Sequence, residues 1–264
     1  MYKLHLGSSP LIISIPHSGV KIPNELDSLM TPVAERLQDT DWYVDRLYEF
    51  AKALNATVVS AELSRYVVDL NRDPTGNSLY PGQFTTGLCP TTTFMNEPLY
   101  TDDSVVNEVE INRRVTEYWQ PYHREIQNQL SRVKSEHGYA LLFDAHSIAS
   151  RVPALFDGQL PDLNYGTFNG KSCAVSISKL LECLNTHEFS SVLNGRFKGG
   201  YITRHYGNPG NNIHAVQLEL SQATYMNEAT GEWDEPKAQS IQAVLKQLCL
   251  ALIDWKPATI NTSS

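Results

Sequence analysis

The sequence predicts an α/β fold with three layers, α/β/α, in which a mostly parallel mixed sheet is covered by helices on both faces. Three apolar runs, at 11–15, 140–143 and 215–220, have the character of strands buried on both sides. The segments between them are longer than the dozen or so residues that a parallel crossover needs, and helical patterns occupy them. No linker rich in Pro, Ser or Gly divides the 264 residues, so we predict one domain over 1–264.

The first predicted strand, at 11–15, ends in the turn Pro16-His17-Ser18-Gly19, because proline and glycine both interrupt a strand. Thr31-Pro32-Val33 is typical of a helix start. From 36 to 54, apolar residues recur at roughly helical spacing, which predicts the first long helix.

A second strand is predicted at 57–61, where the residues are β-branched or apolar. The apolar run at 66–68 predicts a further strand that ends in a polar loop. Residues 74–104 are rich in Gly, Pro, Thr and Asn and show little periodicity. A loop of that length is typical of a lid or a binding loop.

The second half of the chain alternates between helical patterns and strands. A long helix is predicted from 103 to about 136, and Gly138 is a suitable residue to end it before the central strand. A loop is predicted at 151–171, followed by a helix at 172–184. An amphipathic helix at 237–255 is expected to close the fold.

Composition excludes several classes of function. With 41% hydrophobic residues and no very long apolar stretch, the chain can bury a core but is not expected to span a membrane. A net charge of −8 argues against a nucleic-acid partner, which would require clustered Lys and Arg. The four cysteines form no CxxC pair, so neither a disulfide framework nor a cysteine zinc site is indicated. The N-terminal apolar segment is too short for a secretory signal, and we expect a cytoplasmic protein.

Two histidines follow predicted buried strands and suggest a metal site. His17 and His146 should reach the same edge of a parallel sheet, where open α/β sheets bind ligands. Zinc accepts imidazole and carboxylate ligands and, in hydrolases, keeps one position open for water. Asp41 is the preferred acidic ligand, and Asp45, four residues later on the predicted helix, is its competitor. Asp144 is expected to hold an imidazole or an arginine, with direct ligation as the alternative.

Glu219 is the candidate general base. It lies between Leu218 and Leu220 in a predicted buried strand, so its carboxyl projects from a buried element. Such a carboxyl needs either a partner or a raised pKa, and a pKa raised towards neutrality is what a general base requires. The structural alternative is a salt bridge to Arg65 or Arg204.

Three arginines, Arg65, Arg72 and Arg204, lie in polar segments next to predicted strand ends. A guanidinium binds a carboxylate through two parallel hydrogen bonds and does not lose its proton to the site. Ordinary surface salt bridges are the alternative for each of them. In an acidic protein the set favours a substrate that carries one or more carboxylates.

Six blocks of sequence, in order from about residue 10 to about residue 230, resemble the N-formylglutamate amidohydrolase (N-formylglutamate deformylase) family. The blocks are Pro16-His17-Ser18-Gly19, Thr40-Asp41-Trp42 with Asp45-Arg46-Leu47-Tyr48, Ser64-Arg65 with Asp69-Leu70-Asn71-Arg72, Asp144-Ala145-His146-Ser147, Gly199-Gly200-Tyr201-Ile202-Thr203-Arg204, and Gln217-Leu218-Glu219-Leu220. Six collinear blocks are far more specific than any single one.

The resemblance implies a phosphorylase/hydrolase-like fold, similar to that of zinc carboxypeptidases and aspartoacylase-like deacylases. It also implies that His17 and His146 are zinc ligands and that Glu219 is the general base. The chain departs from the carboxypeptidase pattern at Val20, where the broader group has a glutamate ligand. The acidic ligand must therefore come from elsewhere in the chain.

The implied reaction is the hydrolysis of N-formyl-L-glutamate, a small dicarboxylate amide, to L-glutamate and formate, as the last step of one route of histidine degradation. The alternatives are a metal-dependent amidohydrolase acting on another N-acyl amino acid or a peptide terminus, and a non-catalytic protein that binds acidic metabolites. The predicted site combines one divalent ion, Zn²⁺, on His17, Asp41 and His146, catalytic Glu219 and Arg65, and substrate-binding Arg72, Arg204, Asn71 and Ser147.

Overall fold

A mixed sheet forms the centre of the protein in the computed structural model, which describes residues 1–77, 85–186 and 188–257. Its strands are β1 (Tyr2–His5), β2 (Leu11–Ile15), β3 (Thr57–Ala61), β4 (Ala140–Ile148), β5 (Leu163–Gly166), β6 (Ser191–Leu193) and β7 (Ile213–Ser221). They are arranged in the order β1-β3-β2-β4-β7-β5-β6. Strands β3, β2, β4 and β7 run parallel, as do β5 and β6, whereas β1 and β5 pair antiparallel with β3 and β7. The predicted mostly parallel mixed sheet is therefore confirmed.

Helices connect these strands. The α-helices of the described chain are α1 (Asn24–Asp27), α2 (Pro32–Glu35), α3 (Val44–Leu47), α4 (Glu108–Arg114), α5 (Gln120–His137), α6 (Val175–Cys183), α7 (Tyr201–Tyr206) and α8 (Glu235–Asp254). A short hairpin of β8 (Met226–Asn227) and β9 (Glu232–Trp233) precedes α8. Among the described residues, no helix combines the length and the apolar character needed to cross a membrane.

The core lies on both faces of the sheet. Ile13 of β2 belongs to a cluster that includes Ile177 of α6 and Leu245 of α8, whereas the neighbouring Ile12 belongs to a second cluster with Ile126 of α5. All five side chains are fully buried. Because successive side chains of a strand point to opposite faces, both must be apolar when helices cover both sides. This packing explains the unbroken apolar runs and confirms the three-layer arrangement.

The helix predicted over 36–54 is wrong in its extent. The structure has only α3 in this region, followed by a 3-10 helix at Glu49–Leu54. Tyr43, directly before α3, has a φ of 60°, which is the left-handed conformation that a right-handed helix cannot contain. Asp41 and Asp45 therefore do not share one helical face.

Two other predictions from local pattern also fail. Residues 66–68 lie in a turn at 65–67 and the loop that follows it and not in a strand, with the amide of Val67 donating to the carbonyl of Ser64 at 3.0 Å. The predicted loop at 151–171 contains β5, whose pairing with β7 joins residues 163–166 to 217–220. The run at 66–68 is apolar because its side chains are buried, although it lies in a loop. A four-residue strand such as β5 is defined by its pairing with strands that are distant in the sequence.

The long helix predicted from 103 to 136 is interrupted. A 3-10 helix at Asp103–Val105 precedes α4, and the π-helical turn Val115–Trp119 separates α4 from α5. The predicted end at Gly138 is confirmed, since this residue has a φ of 79° directly after α5. A π-helical turn shifts the faces of the two helical segments relative to each other.

The long loop predicted at 74–104 lies partly outside the described residues, which omit 78–84. Its later part is held by isolated β-bridges between Thr92 and Pro98 and between Met30 and Tyr100. Thr86, at the beginning of this part, reaches the cavity described below.

Candidate active site

Two imidazoles meet at the carboxyl edge of the parallel strands, as the sequence predicts. His17 lies two residues beyond β2, and His146 lies within β4, the neighbouring parallel strand. Their ring centroids are 4.8 Å apart, and both residues are almost fully buried. Adjacent strands that run in the same direction deliver their last side chains to one place.

Asp41 completes this cluster. Its Oδ2 atom lies 3.0 Å from Nδ1 of His146 and 3.7 Å from Nδ1 of His17. The segment around Asp41 is fixed from both sides, because its amide donates to the carbonyl of His17 at 3.1 Å and the amide of Ser147 donates to its carboxylate at 3.1 Å. The ligand atoms of His17, Asp41 and His146 all lie within 4.8 Å of one another.

The two competing acids occupy other positions. Asp45 is exposed and accepts a hydrogen bond from the amide of Arg46, so the structure does not bring it to the cluster. The left-handed conformation of Tyr43 is the reason, because Asp41 and Asp45 would share a face only if one continuous helix contained both. Asp144 is fully buried, and its Oδ2 atom lies 2.9 Å from Nε2 of His146. It holds an imidazole, as expected.

A carboxylate stands behind each imidazole. Nε2 of His17 lies 2.7 Å from Asp69, and Nε2 of His146 lies 2.9 Å from Asp144, so the Nδ1 atoms of both rings are on the side of Asp41. Metal-binding histidines usually donate their other N–H group to a carboxylate, which fixes the tautomer and the ring orientation. Two imidazole nitrogens and one carboxylate oxygen are a donor set that suits zinc. The residues present therefore fit a divalent metal ion.

Electrostatics distinguish the buried groups of this cluster. Burial lowers the pKa of His17. Burial also disfavours the charged form of His146, but Asp144 and Asp41 outweigh it and raise the pKa of His146 well above its usual range. Burial opposes the ionisation of Asp69 as well, yet the nearby cations, Arg72 first, hold its pKa well below its usual range. A carboxylate that stays ionised behind an imidazole is a strong hydrogen-bond acceptor.

Arg65 and Arg72 come from one segment and contact the same carboxylate. Arg65 is 7% exposed and donates to Asp69 at 2.7 Å and to Asp41 at 3.4 Å. Arg72 lies 3.7 Å from Asp69 and donates through Nε to the carbonyl of Thr86 at 3.0 Å. Arg65 therefore bridges two site carboxylates, whereas Arg72 donates mainly to backbone carbonyl groups.

Asn71 links this segment to the central strand. Its Nδ2 atom lies 2.9 Å from Nε2 of His146 and donates to Asp144 at 3.2 Å. Its Oδ1 atom accepts from the amide of Ile202 at 2.8 Å, at the beginning of α7. Gly200 packs directly against the side-chain amide of Asn71, where a Cβ atom would overlap it. Asn71 thus contacts His146, and it also lines the cavity described below, so its predicted contact with substrate stays a prediction.

Glu219 lies on β7 directly opposite His146 of β4. It is 8% exposed, and burial raises its pKa to about 8. The side-chain amide of Gln217 donates through Nε2 to the carboxyl of Glu219 at 3.4 Å. The salt bridge to Arg65 considered from the sequence does not form, because Arg65 pairs with Asp41 and Asp69.

A cavity opens beside these groups. In the part of the chain that the structure describes, it is lined by His17, Arg65, Asn71, Arg72, Thr85, Thr86, Phe94, His146, Ile148, Leu155, Arg196, Phe197, Gly200, Gln217 and Glu219. Polar groups that can act on an amide thus share one space with arginines that can bind carboxylates. The cavity is the candidate active site.

Two predicted substrate contacts are not among the described lining residues. Arg204, on α7, donates through Nε to the carbonyl of Gly199 at 2.7 Å and lies 4.7 Å from the ring centroid of Phe168. Ser147 is buried and accepts a hydrogen bond from the hydroxyl of Tyr225 at 2.7 Å. In the structure Ser147 supports Asp41 through its amide.

Arg196 lines the cavity and was not predicted from the sequence. It lies between β6 and α7, three residues after the end of β6. Its only signal in the sequence is its position three residues before the block Gly199 to Arg204, which resembles the amidohydrolase family. Because Arg196 does not follow a strand that is recognisable from the sequence, the local pattern does not mark it as a site residue.

Comparisons with known proteins identify the family of the chain. The sequence model of the N-formylglutamate amidohydrolase family matches residues 9–226. N-formylglutamate deformylase of Pseudomonas putida is 49% identical over 254 residues, covering 95% of each chain. The enzyme of the same name from Pseudomonas aeruginosa is 48% identical and covers 94% of each chain.

Solved structures show the same fold. The crystal structure of N-formylglutamate amidohydrolase from Ralstonia eutropha superimposes with a TM-score of 0.80 at 26% identity and covers 96% of each chain. A protein from Agrobacterium tumefaciens shares the fold alone, with a TM-score of 0.70 at 16% identity. A family match over most of the chain, with near-half identity to two curated relatives, establishes that the chain belongs to the N-formylglutamate amidohydrolase family.

Proposed function

We propose that the protein hydrolyses N-formyl-L-glutamate to L-glutamate and formate and uses one divalent ion, zinc, bound by His17, Asp41 and His146. The observation that carries the proposal is the convergence of these three side chains, within 4.8 Å, beside a cavity that also contains Glu219 and Arg72. Membership of the family, and the names of its curated relatives, support the substrate.

Zinc bound at this place would lower the pKa of a water molecule and polarise the formyl oxygen. The residues behind the ligands serve to keep them in position. Asp69 and Asp144 hold the far nitrogens of the two imidazoles, and Asn71 restrains His146. Groups held in this way need little rearrangement when the reaction begins.

Glu219 is the proposed general base. Its carboxylate oxygen takes a proton from the attacking water and returns it to the leaving amine nitrogen. A carboxyl whose pKa is raised to about 8 by burial accepts and donates a proton near neutrality more readily than an exposed glutamate. Its position opposite His146 in the β4–β7 pair places it beside the proposed ligands.

The arginines have different proposed roles. Arg65 is buried and bridges Asp41 and Asp69, so its charge supports the ligand cluster and the negative oxygen of the tetrahedral intermediate. Arg72 lines the cavity and is the proposed contact for a substrate carboxylate. Arg204 is not among the described lining residues, and its contact with the substrate stays a prediction.

We also propose kinship with zinc carboxypeptidases, a place in histidine degradation and a single domain. Kinship with zinc carboxypeptidases is supported by the resemblance of the histidine blocks and by the mixed sheet. A place at the end of a histidine-degradation route is supported by the family resemblance. One domain over 1–264 is supported by the continuous sheet that joins both halves of the chain.

The substrate is tested by measuring kcat/KM for N-formyl-L-glutamate, N-acetyl-L-glutamate and N-formyl-L-aspartate on the zinc-loaded protein. We expect the first to be preferred by about 10-fold to 200-fold, because one methyl or methylene group is worth about 1 to 3 kcal/mol in a fitted pocket. Equal rates would contradict the proposed substrate, and faster turnover of N-acetyl-L-glutamate would favour another N-acyl amino acid. If none of the three is hydrolysed, the proposed reaction is wrong.

A further inference from the structure

Three arginines line the cavity in the part of the chain that the structure describes: Arg65, Arg72 and Arg196. Their surroundings differ. Arg65 is 7% exposed and lies between Asp41 and Asp69. Arg72 and Arg196 are both half-buried, which is the exposure expected of a side chain that meets a ligand in a cavity.

Arg72 is close to the proposed metal ligands. Its guanidinium lies 3.7 Å from Asp69, and Asp69 in turn lies 2.7 Å from Nε2 of His17. A carboxylate bound by Arg72 would therefore be near the amide that is cleaved. In N-formyl-L-glutamate that position belongs to the α-carboxylate, which is attached to the carbon that bears the amide nitrogen.

Arg196 is supplied by a different part of the fold. It follows β6, whereas Arg72 follows β3, and these strands lie on opposite sides of β4 in the sheet. Its Nε atom donates to the carbonyl of Leu155 at 2.6 Å, and its guanidinium lies 5.4 Å from the ring centroid of Phe197. A guanidinium that is anchored by Nε and by a ring face loses less conformational freedom when it binds a carboxylate.

Apolar side chains accompany Arg196 in the cavity wall: Ile148, Leu155 and Phe197. The substrate has a matching pattern, since two methylene groups separate its amide-bearing carbon from its second carboxylate. Apolar contact with the methylene groups and a guanidinium beside the terminal carboxylate together favour a substrate that has the length and charge of glutamate.

We propose that Arg196 binds the γ-carboxylate of the substrate and thereby sets the preference for glutamate, while Arg72 binds the α-carboxylate. This inference rests on the proposed function, because it assigns the second carboxylate of N-formyl-L-glutamate. It makes Arg196 a specificity-determining residue that takes no part in the proton transfers.

The test compares N-formyl-L-glutamate with N-formyl-L-glutamine, which has nearly the same shape but an uncharged end. For the Arg196→Gln variant we expect kcat/KM for N-formyl-L-glutamate to fall by about 100-fold, mainly through KM, because a substrate carboxylate loses its charged partner. The same variant should hydrolyse N-formyl-L-glutamine within about threefold of the wild-type rate. If wild-type turnover of N-formyl-L-glutamine is too slow to measure, the competitive inhibition constants of the two formyl compounds are compared instead. If neither formyl compound is turned over, the inhibition constants of glutarate and glutaramate are compared.

Two matched variants complete the experiment. Arg72→Gln should reduce kcat/KM for both substrates, since both have an α-carboxylate. Arg124→Gln, on the exposed side of α5, should change neither. An equal effect of Arg196→Gln on both substrates, or no effect on either, would overturn the inference. If the wild-type protein fails to hydrolyse N-formyl-L-glutamate, the proposed function is wrong, and the inhibition constants still report whether Arg196 recognises the charged end.

Discussion

At the level of single residues, Glu219 combines a chemical role with a cost in stability. Burial raises the pKa of its carboxyl to about 8 from an ordinary value of 4.5. The folded protein therefore favours the neutral carboxyl, whereas the unfolded chain ionises it above pH 4.5. The favourable contribution of this group to the free energy of unfolding is complete below pH 4.5 and is lost as the pH rises through about 8.

Replacing Glu219 with Gln should reduce activity and increase stability at the same time. We expect kcat to fall by about 100-fold to 10,000-fold, because the proposed base is removed. In the chelator-treated protein at pH 8.5, the variant should be more stable than the wild type by on the order of a few kcal/mol, because Gln reproduces the neutral carboxyl. Urea unfolding of both proteins at pH 5 and pH 8.5 measures this difference.

Glu182→Gln is the matched control, because Glu182 is exposed on α6. It should leave activity unchanged and alter stability by less than about 0.5 kcal/mol. A Glu219→Gln variant that is equally active, or that gains no stability relative to wild type between the two pH values, would contradict the assignment.

At the level of elements, the beginning of α7 is built around the contact between Gly200 and Asn71. The amide of Gly200 donates to the side chain of Gln217 at 2.6 Å, and the amide of Ile202 donates to Asn71 at 2.8 Å. Glycine is required at this point because a side chain would occupy the space of the Asn71 amide. The helix start is thus coupled to a residue that restrains His146.

Gly200→Ala should therefore lower both stability and activity. The added methyl group has to displace the Asn71 side chain, at a cost of about 1 to 3 kcal/mol. We expect kcat/KM to fall by about 10-fold, because Asn71 no longer holds His146 in place. Thermal unfolding and steady-state kinetics measure the two effects.

Gly210→Ala provides the comparison, because a Cβ at this exposed glycine would meet its nearest neighbour, the side chain of Asn208, at 3.7 Å, an ordinary contact. This variant should behave like the wild type. If the two alanine variants have the same stability and the same activity, the close packing at Gly200 has no functional consequence.

At the scale of the whole molecule, the proposed ligands come from separate parts of the chain. His17 follows β2, Asp41 precedes α3 and His146 lies in β4. An ion bound by all three would join these segments in the folded state only. Binding to the native state alone stabilises it by about 4 kcal/mol at a ligand concentration 1,000 times the dissociation constant.

The pair Asp41→Asn and Asp45→Asn tests this arrangement. Zinc should raise the melting temperature of the chelator-treated wild type by about 10 °C, given about 2 to 4 °C per kcal/mol for a chain of this size. Asp45→Asn should show the same shift and retain one zinc per chain. Asp41→Asn should show little shift and bind well below one equivalent. Equal zinc content in the two variants would exclude Asp41 as a ligand.

The sequence by itself determined the type of fold and the approximate place of the site. Buried strands such as β2 and β4 are recognisable from local composition, because both faces are apolar, and the rule that parallel strands share a carboxyl edge brings His17 and His146 together. Glu219 was identified in the same way, from a charged residue within an apolar strand. Each of these inferences depends on neighbours in sequence.

Only the tertiary structure decided which residues in the loops reach the site. Asp41 lies beside the imidazoles and Asp45 does not, because Tyr43 takes a left-handed conformation between them. Arg196 lines the cavity, and Arg204, eight residues later, is not among its described lining residues. The path of a loop is set by backbone turns and by contacts between residues that are far apart in sequence, and neither is encoded in the local pattern of polar and apolar residues.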